Sequence, residues 1–300
     1  MICSLIAGTA FAALPPAPME PEELDISAYV NVASLRATHT FGMDFDQGIG
    51  SMDFTNVGAF SLLGQFHAPG GFTYIPALTY DFSHFNLENA PPGLSLAAPD
   101  LEDPLHRVDL YNFLIKQTDS GWIYGAMLTP GIHSSFEDLN SRDLFLSAAV
   151  AVGYRFSDSL LGGLMVYGSD LTNDPTVLVS PAFLWEINDD WTTFFYGTRF
   201  VLRRSFGEDR SIGVEAAYNG GHWSTKFAGQ DAQLDFASTR AGLVYRQRLG
   251  ADVWFDLSAG YTFGNELRFR SAGGRDIITP GLGDASGAPY VRLGLTVGSW

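Results

Sequence analysis

The chain has 300 residues and a formal net charge of -16, from 33 acidic and 17 basic side chains. Nucleic-acid binding draws its affinity from Lys and Arg that neutralise phosphates, so this balance disfavours a nucleic-acid partner. A helical membrane protein is also excluded, because no stretch approaches the roughly 18 consecutive apolar residues that a spanning helix needs. Aromatic residues make up 14% of the chain and charged residues only 17%. This composition is rich in strand formers and favours an all-β fold.

The N-terminus is typical of an exported protein. Residues 1–12 are apolar and uncharged and end in Ala10-Phe11-Ala12, shortly before two prolines. Small residues at this spacing predict a signal-peptidase site, so we expect a signal peptide over residues 1–12, although the usual basic start is missing. Residues 13–24 are rich in Pro and Glu and predict a disordered lead. Cleavage after Ala12 removes the single cysteine, Cys3, so disulfide and thiol chemistry are not expected.

Residues 25–300 form a series of predicted strands with no visible domain boundary. Apolar and polar side chains alternate with period two over long segments, which Gly, Asn, Asp and Ser separate. From Val253 to Arg270 one parity is apolar apart from Asn265. Such segments exceed most soluble strands and cover the roughly 9–11 tilted residues that cross hydrocarbon. About fourteen strands are predicted, near residues 25–38, 51–66, 71–86, 106–117, 121–135, 143–156, 160–169, 176–187, 191–203, 210–218, 222–228, 236–249, 253–269 and 288–300.

Two architectures could bury the apolar face of these strands: a sandwich, in which it packs on a second sheet, and a membrane barrel, in which it faces lipid. Predicted links after even-numbered strands are short, such as 250–252, and those after odd-numbered strands are mostly longer and acidic, such as 270–287. This alternation is typical of bacterial barrels, and the Greek-key crossovers of a sandwich do not impose it. We therefore expect a single antiparallel, up-and-down transmembrane β-barrel. Twelve strands is the alternative count, because 210–218 and 222–228 show the weakest pattern.

In each predicted strand, every second residue is mostly polar, and we call these positions the polar parity. They predict which charges line the lumen. An Arg that faces lipid at the midplane costs about 2–4 kcal/mol, so charges on these strands are expected to point inward. A three-residue turn at 250–252 would pair Arg246 with Asp256. Two interpretations stay open: a pore wall that selects solutes, and a ladder of salt bridges that plugs the barrel. The predicted lumen-facing charges are Arg199, Arg203, Glu215, Arg240, Arg246, Asp256, Glu266, Arg268 and Arg292.

Four segments carry a resemblance to a known family: WIYGAMLTPG at 122–131, DLFLSAAVAVGYR at 143–155, LVSPAFLWEINDDWTTFFYG at 178–197 and the TRFVLRRSFG that follows. These segments share Pro, Gly and Trp residues at strand ends with a known family. In them the chain resembles a family of uncharacterised, porin-like outer-membrane β-barrel proteins that bacteria export. The resemblance covers most of the chain beyond about residue 50. It implies an outer-membrane location and supplies no catalytic residues.

The sequence predicts neither an enzyme nor a metal or cofactor site. The six histidines lie on different links and strands and lack the spacing of metal ligands. Neighbouring strand residues such as His133 and Ser134 point to opposite faces, so they cannot form a catalytic pair unless a bulge intervenes.

The expected function is therefore that of a membrane barrel without catalysis. We expect a monomer that contacts outer-membrane lipid and either forms a narrow channel for small polar solutes or is a closed structural barrel. The long links 87–105 and 270–287 leave a surface-binding role open. An aromatic C-terminus, here Trp300, is typical of substrates of the barrel-assembly machinery, although the apolar residues before it lie on the opposite parity.

Overall fold

The computed structural model describes most of the predicted barrel. The predicted signal peptide (1–12), the predicted lead (13–24) and Trp300 lie outside the described residues, so their predictions remain expectations. The described residues are 32–46, 50–89, 103–136, 139–169, 171, 176–271, 276–277 and 282–298.

These residues form a closed antiparallel β-barrel with 14 wall strands. Closure comes from pairing of the first strand with the last, where Ala33 lies opposite Val297. A closed wall leaves no sheet edge with unpaired backbone groups. The strands are β1 (Ala33–Asp44), β2 (Ser51–Leu62), β3 (Phe66–Ala68), β4 (Phe72–Glu88), β5 (Leu105–Gln117), β6 (Trp122–Ser134), β7 (Leu144–Ser157), β8 (Leu160–Ser169), β9 (Thr176–Glu186), β10 (Trp191–Tyr196), β11 (Arg199–Ser205), β12 (Arg210–Phe227), β13 (Gln230–Arg248), β14 (Val253–Ser271), β15 (Asp276–Ile277), β16 (Gly283–Ala285) and β17 (Ala288–Val297).

Three of these strands, β3, β15 and β16, are short segments inside links and do not belong to the wall. Ser141–Asp143 forms a single turn of 3-10 helix. Within the part of the chain that the structure describes, no helix is long and apolar enough to cross a membrane.

The links differ in length between the two ends of the barrel. We call the end with links 45–50, 89–104, 135–143 and 272–287 the long-link end, and the end with links 118–121, 158–159, 187–190 and 249–252 the short-turn end. The predicted alternation is thus present, but two turns at the long-link end are also tight, at 197–198 and 228–229. β1 begins and β17 ends at the short-turn end.

The predicted strand count is confirmed, although two local predictions were wrong and cancel. The segment 191–203 is a hairpin, β10 and β11, which turns at Gly197 with φ +61°. The segments 210–218 and 222–228 are instead one strand, β12, of 18 residues. Residues 219–221 have the composition of a turn, but Gly221 lies under the ring of Trp223, where a Cβ would come within 1.9 Å. The link 204–209, predicted among the long ones, therefore lies at the short-turn end.

A bulge in β14 reverses the faces of its last residues. Gly264 has φ +61°, and the pairing with β13 shifts register between Ala237 and Thr239. Asn265, the residue that broke the predicted alternation, is buried beyond the bulge, as are Leu267 and Phe269. Glu266 and Arg268 then lie on the opposite face from Asp256 and form an ion pair with each other. Their lumen-facing position therefore does not follow from the alternation, which stops at Gly264, and stays a prediction.

The outer face of the wall is apolar and has aromatic residues at two levels. Trp122, Phe156, Trp185 and Phe206 are exposed beside the turns of the short-turn end. Further along the strands, Phe41, Tyr80, Tyr261 and Phe263 are exposed on the same outer face. Exposed aliphatic side chains fill the band between the two levels: Leu128, Val150, Leu164, Val179, Leu243, Leu257 and Leu293. An aliphatic band between two aromatic girdles is the pattern of barrels that face lipid.

The long-link end is filled by a packed apolar core. The ring centroids of Phe54 in β2 and Phe236 in β13 lie 4.5 Å apart, although β1, β17 and β14 separate these strands in the wall. Phe85 and Trp223 pack beside them. Contacts between such distant strands cross the lumen.

The tip of the β12–β13 hairpin contributes to this core by leaving the wall. Gly221, His222 and Trp223 are consecutive and all buried, so both faces of the strand are covered there. The ring of His222 lies 4.6 Å from that of Phe145 in β7. Ser224 in turn makes a bridge to Ser134 of β6. The tip therefore lies inside the barrel, with one face on the apolar core and the other on β6 and β7.

Candidate functional site

Glu215 is the centre of an ion-pair network on the inner face of one wall. Its Oε1 lies 2.7 Å from Arg292 Nη2 and 3.8 Å from Arg240 Nε, and its Oε2 lies 3.2 Å from Arg199 Nη2. Ser258 Oγ donates a 3.3 Å hydrogen bond to the same carboxylate. The carboxylate side chain is fully buried. Residues from β11, β12, β13, β14 and β17 thus meet at one buried anion.

A second network covers the opposite wall. Arg36 Nη2 of β1 lies 3.2 Å from Asp81 Oδ1 of β4, and Arg107 of β5 binds the other oxygen of Asp81. Arg107 Nε also lies 3.1 Å from Asp109 Oδ2. His133 of β6 extends the network, with Nε2 at 2.8 Å from Asp109 Oδ1. Arg107, Asp81 and Asp109 are all buried.

Glycines in the strands make room for both networks. A Cβ at Gly58 would lie 2.5 Å from Asp81 Oδ1 and 2.9 Å from Arg36 Nε. A Cβ at Gly131 would lie 2.1 Å from Asp109 Oδ1. These glycines are therefore required by the ion pairs above them and not by a turn.

The predicted pairing of Arg246 with Asp256 is confirmed. The two residues lie opposite each other in the β13–β14 hairpin, and Arg246 Nε is 3.2 Å from Asp256 Oδ1. Thr296 Oγ1 of β17 donates a 3.1 Å hydrogen bond to the other carboxylate oxygen. Arg203 lies on the same inner face, two residues from Val201, which is opposite Glu215.

Arginines outnumber carboxylates in this part of the lumen. We use the term charged layer for the networks and their neighbours within the described residues. The layer has three more arginines than carboxylates, whereas the whole chain carries a net charge of -16. An inner wall of this kind attracts anions. The layer consists of Arg36, Arg107, Arg199, Arg203, Arg240, Arg246 and Arg292 with Asp81, Asp109, Glu215 and Asp256.

A polar cavity lies between the two networks. It has about 680 Å³ of space not filled by protein atoms, part of it continuous with solvent. Arg36, Arg107 and Asp81 line one side, and Arg240 with Tyr290 lines the other. Hydroxyl and amide side chains complete the wall, among them Thr38, Asn56, Ser83, Asn219, Ser238 and Thr262. The cavity is therefore suited to a small polar molecule with hydrogen-bonding groups or negative charge.

On the side formed by β5 to β10, the lumen becomes apolar towards the short-turn end, whereas Arg203, Arg246 and Asp256 keep the opposite side charged. Inward residues of β5 run in order from Arg107 and Asp109 through Tyr111 to Phe113 and Ile115. A second cavity, of about 840 Å³ including space open to solvent, lies at this apolar level. It shares no lining residue with the polar cavity.

A family model described as Domain of unknown function (DUF6268) matches residues 97–298. The chain belongs to this family. The description assigns no activity, which agrees with the resemblance found in the strand-end motifs. No curated protein matches the sequence.

Several solved membrane barrels have a related outline. The COG4313 outer membrane channel from Pseudomonas putida F1 aligns with a TM-score of 0.47 and 10% identity, over 93% of this chain and 99% of that one. The toluene transporter TodX of Pseudomonas putida gives 0.36 and 7% over 88% of both chains. The β domain of the Bordetella autotransporter BrkA gives 0.35 and 12%, over 89% and 99%. At these scores the likenesses assign no solute and no mechanism to this DUF6268 member.

The structure brings seven of the nine predicted lumen charges of this DUF6268 chain together and separates two. Arg199, Glu215, Arg240 and Arg292 share one network, and Arg203, Arg246 and Asp256 lie beside it. Glu266 and Arg268 lie beyond the bulge, on the opposite side of β14 from Asp256. Both sit past Phe263, the last exposed aromatic residue of β14, so they are outside the apolar band.

The second network was not predicted from the sequence, although its charged residues lie on predicted strands. Asp81 belongs to the polar parity of a strand whose alternation was recognised, and Arg36 and Arg107 lie on predicted strands. Their partners could not be inferred, since β1 and β4 are joined only through β2. His133 and His222 were predicted to be scattered, yet their ring centroids lie 5.5 Å apart. Among the described residues, no group of three or more His, Cys, Asp or Glu side chains could hold a metal ion.

Proposed function

We propose that this chain is a bacterial outer-membrane barrel whose lumen takes up small polar solutes, with a preference for anions. The observation that carries the proposal is the excess of arginines around the polar cavity. Three of its lining charges are arginines, Arg36, Arg107 and Arg240, and one is the carboxylate of Asp81. Guanidinium groups bind carboxylates and phosphates well because their donors match the geometry of these anions.

The outer face supports the membrane location. Two aromatic girdles enclose an aliphatic band, and on β14 the outward apolar residues run from Val253 to Phe263, about the 9–11 residues of a spanning strand. The short-turn end faces the periplasm in this assignment, as in other bacterial barrels. The barrel is a monomer surrounded by outer-membrane lipid and is inserted by the barrel-assembly machinery.

Passage of solute requires movement of the β12–β13 tip. The described residues fill the long-link end with Phe54, Phe85, Trp223 and Phe236. The charged layer lies beneath this core. In this proposal the packed tip is the closed state, and its displacement connects the polar cavity to the long-link end.

A closed structural barrel is the second candidate, and the same apolar core favours it. In that case the ion pairs only stabilise the wall, and the long links carry any surface-binding role. Buried ion pairs alone do not argue for either function, because their desolvation offsets much of their attraction.

Planar-bilayer recording with a shortened hairpin separates the two candidates. Replacing residues 223–234 by Asn-Gly joins the paired residues His222 and Asp235 through a two-residue turn. The proposal expects brief or rare openings of the unaltered protein and steady current steps from the shortened protein. In a KCl gradient, the reversal potential should show chloride preference. Silence of the shortened protein over many insertions would favour the closed barrel, and potassium preference would overturn the anion assignment.

A further inference from the structure

The apolar cavity at the short-turn half of the lumen has a lining without charged side chains. Phe113 and Ile115 of β5 and Met127 of β6 line one side. Met165 of β8 and Phe194 of β10 line the other. Water gains little from such walls, since a water molecule needs two to four polar partners to stay in a cavity. The chemistry of the site therefore favours an apolar occupant.

The space exists because inward positions of β6 and β7 carry very small residues. Across this hairpin Gly125 lies opposite Ala151, Ile123 opposite Gly153 and Met127 opposite Ala149, so each inward pair includes a small residue. The small residues of β7 in these pairs are Ala149, Ala151 and Gly153, which alternate in the sequence with larger outward-facing residues.

Backbone packing does not require two of these glycines. A Cβ at Gly153 would make ordinary contacts, at 3.5 Å from Gly162 O and 3.7 Å from Leu161 Cδ1. A Cβ at Gly125 would lie 3.6 Å from the Cβ of Ala151. Gly163 differs, since its Cβ would lie 2.2 Å from Val152 O. Larger side chains would thus fit at Gly125 and Gly153, but both positions are glycine, so the cavity stays open.

We propose that this cavity is a binding site for a small uncharged aromatic molecule. Part of this space is continuous with solvent, so a small ring can enter it. Phe113, Phe194 and Tyr196 offer ring faces and edges. Met127 and Met165 offer polarisable sulfur, which makes favourable contacts with aromatic rings. The site is independent of the anion preference, because the two cavities have no lining residue in common.

Methionine methyl NMR in lipid nanodiscs tests this site with toluene as the probe. Met127 and Met165 line the cavity, whereas Met43 and Met52 lie buried in the apolar core of the long-link end and serve as internal controls. Toluene should shift the first two methyl signals saturably and leave the other two unchanged. Absence of a saturable shift, or equal shifts of all four signals, would overturn the proposal, because partitioning into lipid predicts equal effects.

Two variants locate the site. Gly153→Leu fills the cavity and should weaken toluene binding at least about tenfold, since a leucine side chain replaces much of the ligand's apolar contact. Val150→Leu, on the outer face of the same strand, should leave binding unchanged. Unchanged Met43 and Met52 signals would show that both variants fold.

Other occupants of the cavity are distinguished by the same experiment. β1 begins at the short-turn end, so the chain that precedes it is the competing occupant to test. If a chain that begins at residue 32 shows shifted Met127 and Met165 signals before toluene is added and the longer chain binds no toluene, the occupant is this segment and the proposal fails. If both chains bind toluene equally, the aromatic-ligand site stands.

Discussion

Arg292 of β17 and Glu215 of β12 form an ion pair, with Nη2 and Oε1 2.7 Å apart, although two wall strands lie between them. The intervening inward residues in the row of Glu215 are Gly242 and Gly260, which carry no side chains. A Cβ at Gly242 would lie 2.6 Å from the hydroxyl of Tyr290. The glycines let one carboxylate reach across the wall, so Glu215 pairs with arginines from three other strands.

Removal of the Glu215 carboxylate should strongly destabilise the barrel. Glu215→Ala leaves Arg199, Arg240 and Arg292 without their shared anion in a buried site, and breaking such pairs costs about 3–5 kcal/mol. The free energy of unfolding in urea, measured in lipid vesicles, checks this value. Asp190→Ala, which breaks an exposed pair with Arg204, is the matched control and should change it by less than about 1 kcal/mol. Equal losses in both variants would contradict the central role of Glu215.

The Arg36–Asp81 pair should depend on a glycine. Gly58→Ala places a methyl group 2.5 Å from Asp81 Oδ1, so the ion pair must separate. We expect a loss of about 1–3 kcal/mol of unfolding free energy, as for other overpacked sites. Gly250→Ala is the control, because a Cβ there has no neighbour within 4 Å. A neutral Gly58→Ala would show that the wall adjusts without cost.

A single arginine should set part of the ion preference. Arg240→Gln removes one positive charge from the polar cavity while Arg199 and Arg292 still neutralise Glu215. In the shortened-hairpin background, the reversal potential in a KCl gradient should move towards that of a non-selective pore. Arg204→Gln, whose side chain is about half exposed in a pair with Asp190, should leave the potential unchanged. An identical shift from both variants would mean that surface charge, and not the cavity, selects ions.

The outer face should show the depth dependence of a membrane barrel. Val150→Arg places a charge within the aliphatic band and should cost about 2–4 kcal/mol, whereas Phe156→Arg on the same face of β7 lies beside a turn and should cost about 0–1 kcal/mol. Unfolding of both variants from lipid vesicles gives the comparison. Similar costs at the two depths, or a protein that stays monodisperse without detergent, would contradict the membrane assignment.

The apolar core of the long-link end should both stabilise and close the barrel. Trp223→Ala removes a buried ring that packs against Phe85 and should cost about 3–5 kcal/mol. Current through the bilayer should become more frequent, since the β12–β13 tip loses its main contact. Trp185→Ala, an exposed girdle residue, is the control and should leave the frequency of openings unchanged. A stable but silent Trp223→Ala protein would argue against the tip as the closure.

Much of the barrel could be predicted from local sequence. Alternation with period two identified most wall strands. Leu249 and Val253 are both apolar and are separated by a turn of three residues, which determined the register of Arg246 with Asp256. The alternation did not predict that residues 191–205 form two strands, β10 and β11. It also did not predict that β12 is a single strand over residues 210–227. Gly197 and Gly221 both lie in segments whose composition is compatible with a turn. Gly197 does form a turn, whereas Gly221 lies inside β12 and accommodates the ring of Trp223.

The sequence by itself determined the all-β class and the inward face of most strands, because side chains of a strand alternate between its two faces whatever surrounds it. Only the tertiary structure decided the reversal of Glu266 and Arg268, the network around Arg107 and the inward tip of the β12–β13 hairpin. Each of these depends on contacts between residues that are distant in the chain. Such contacts arise when the wall closes, and no local pattern encodes them.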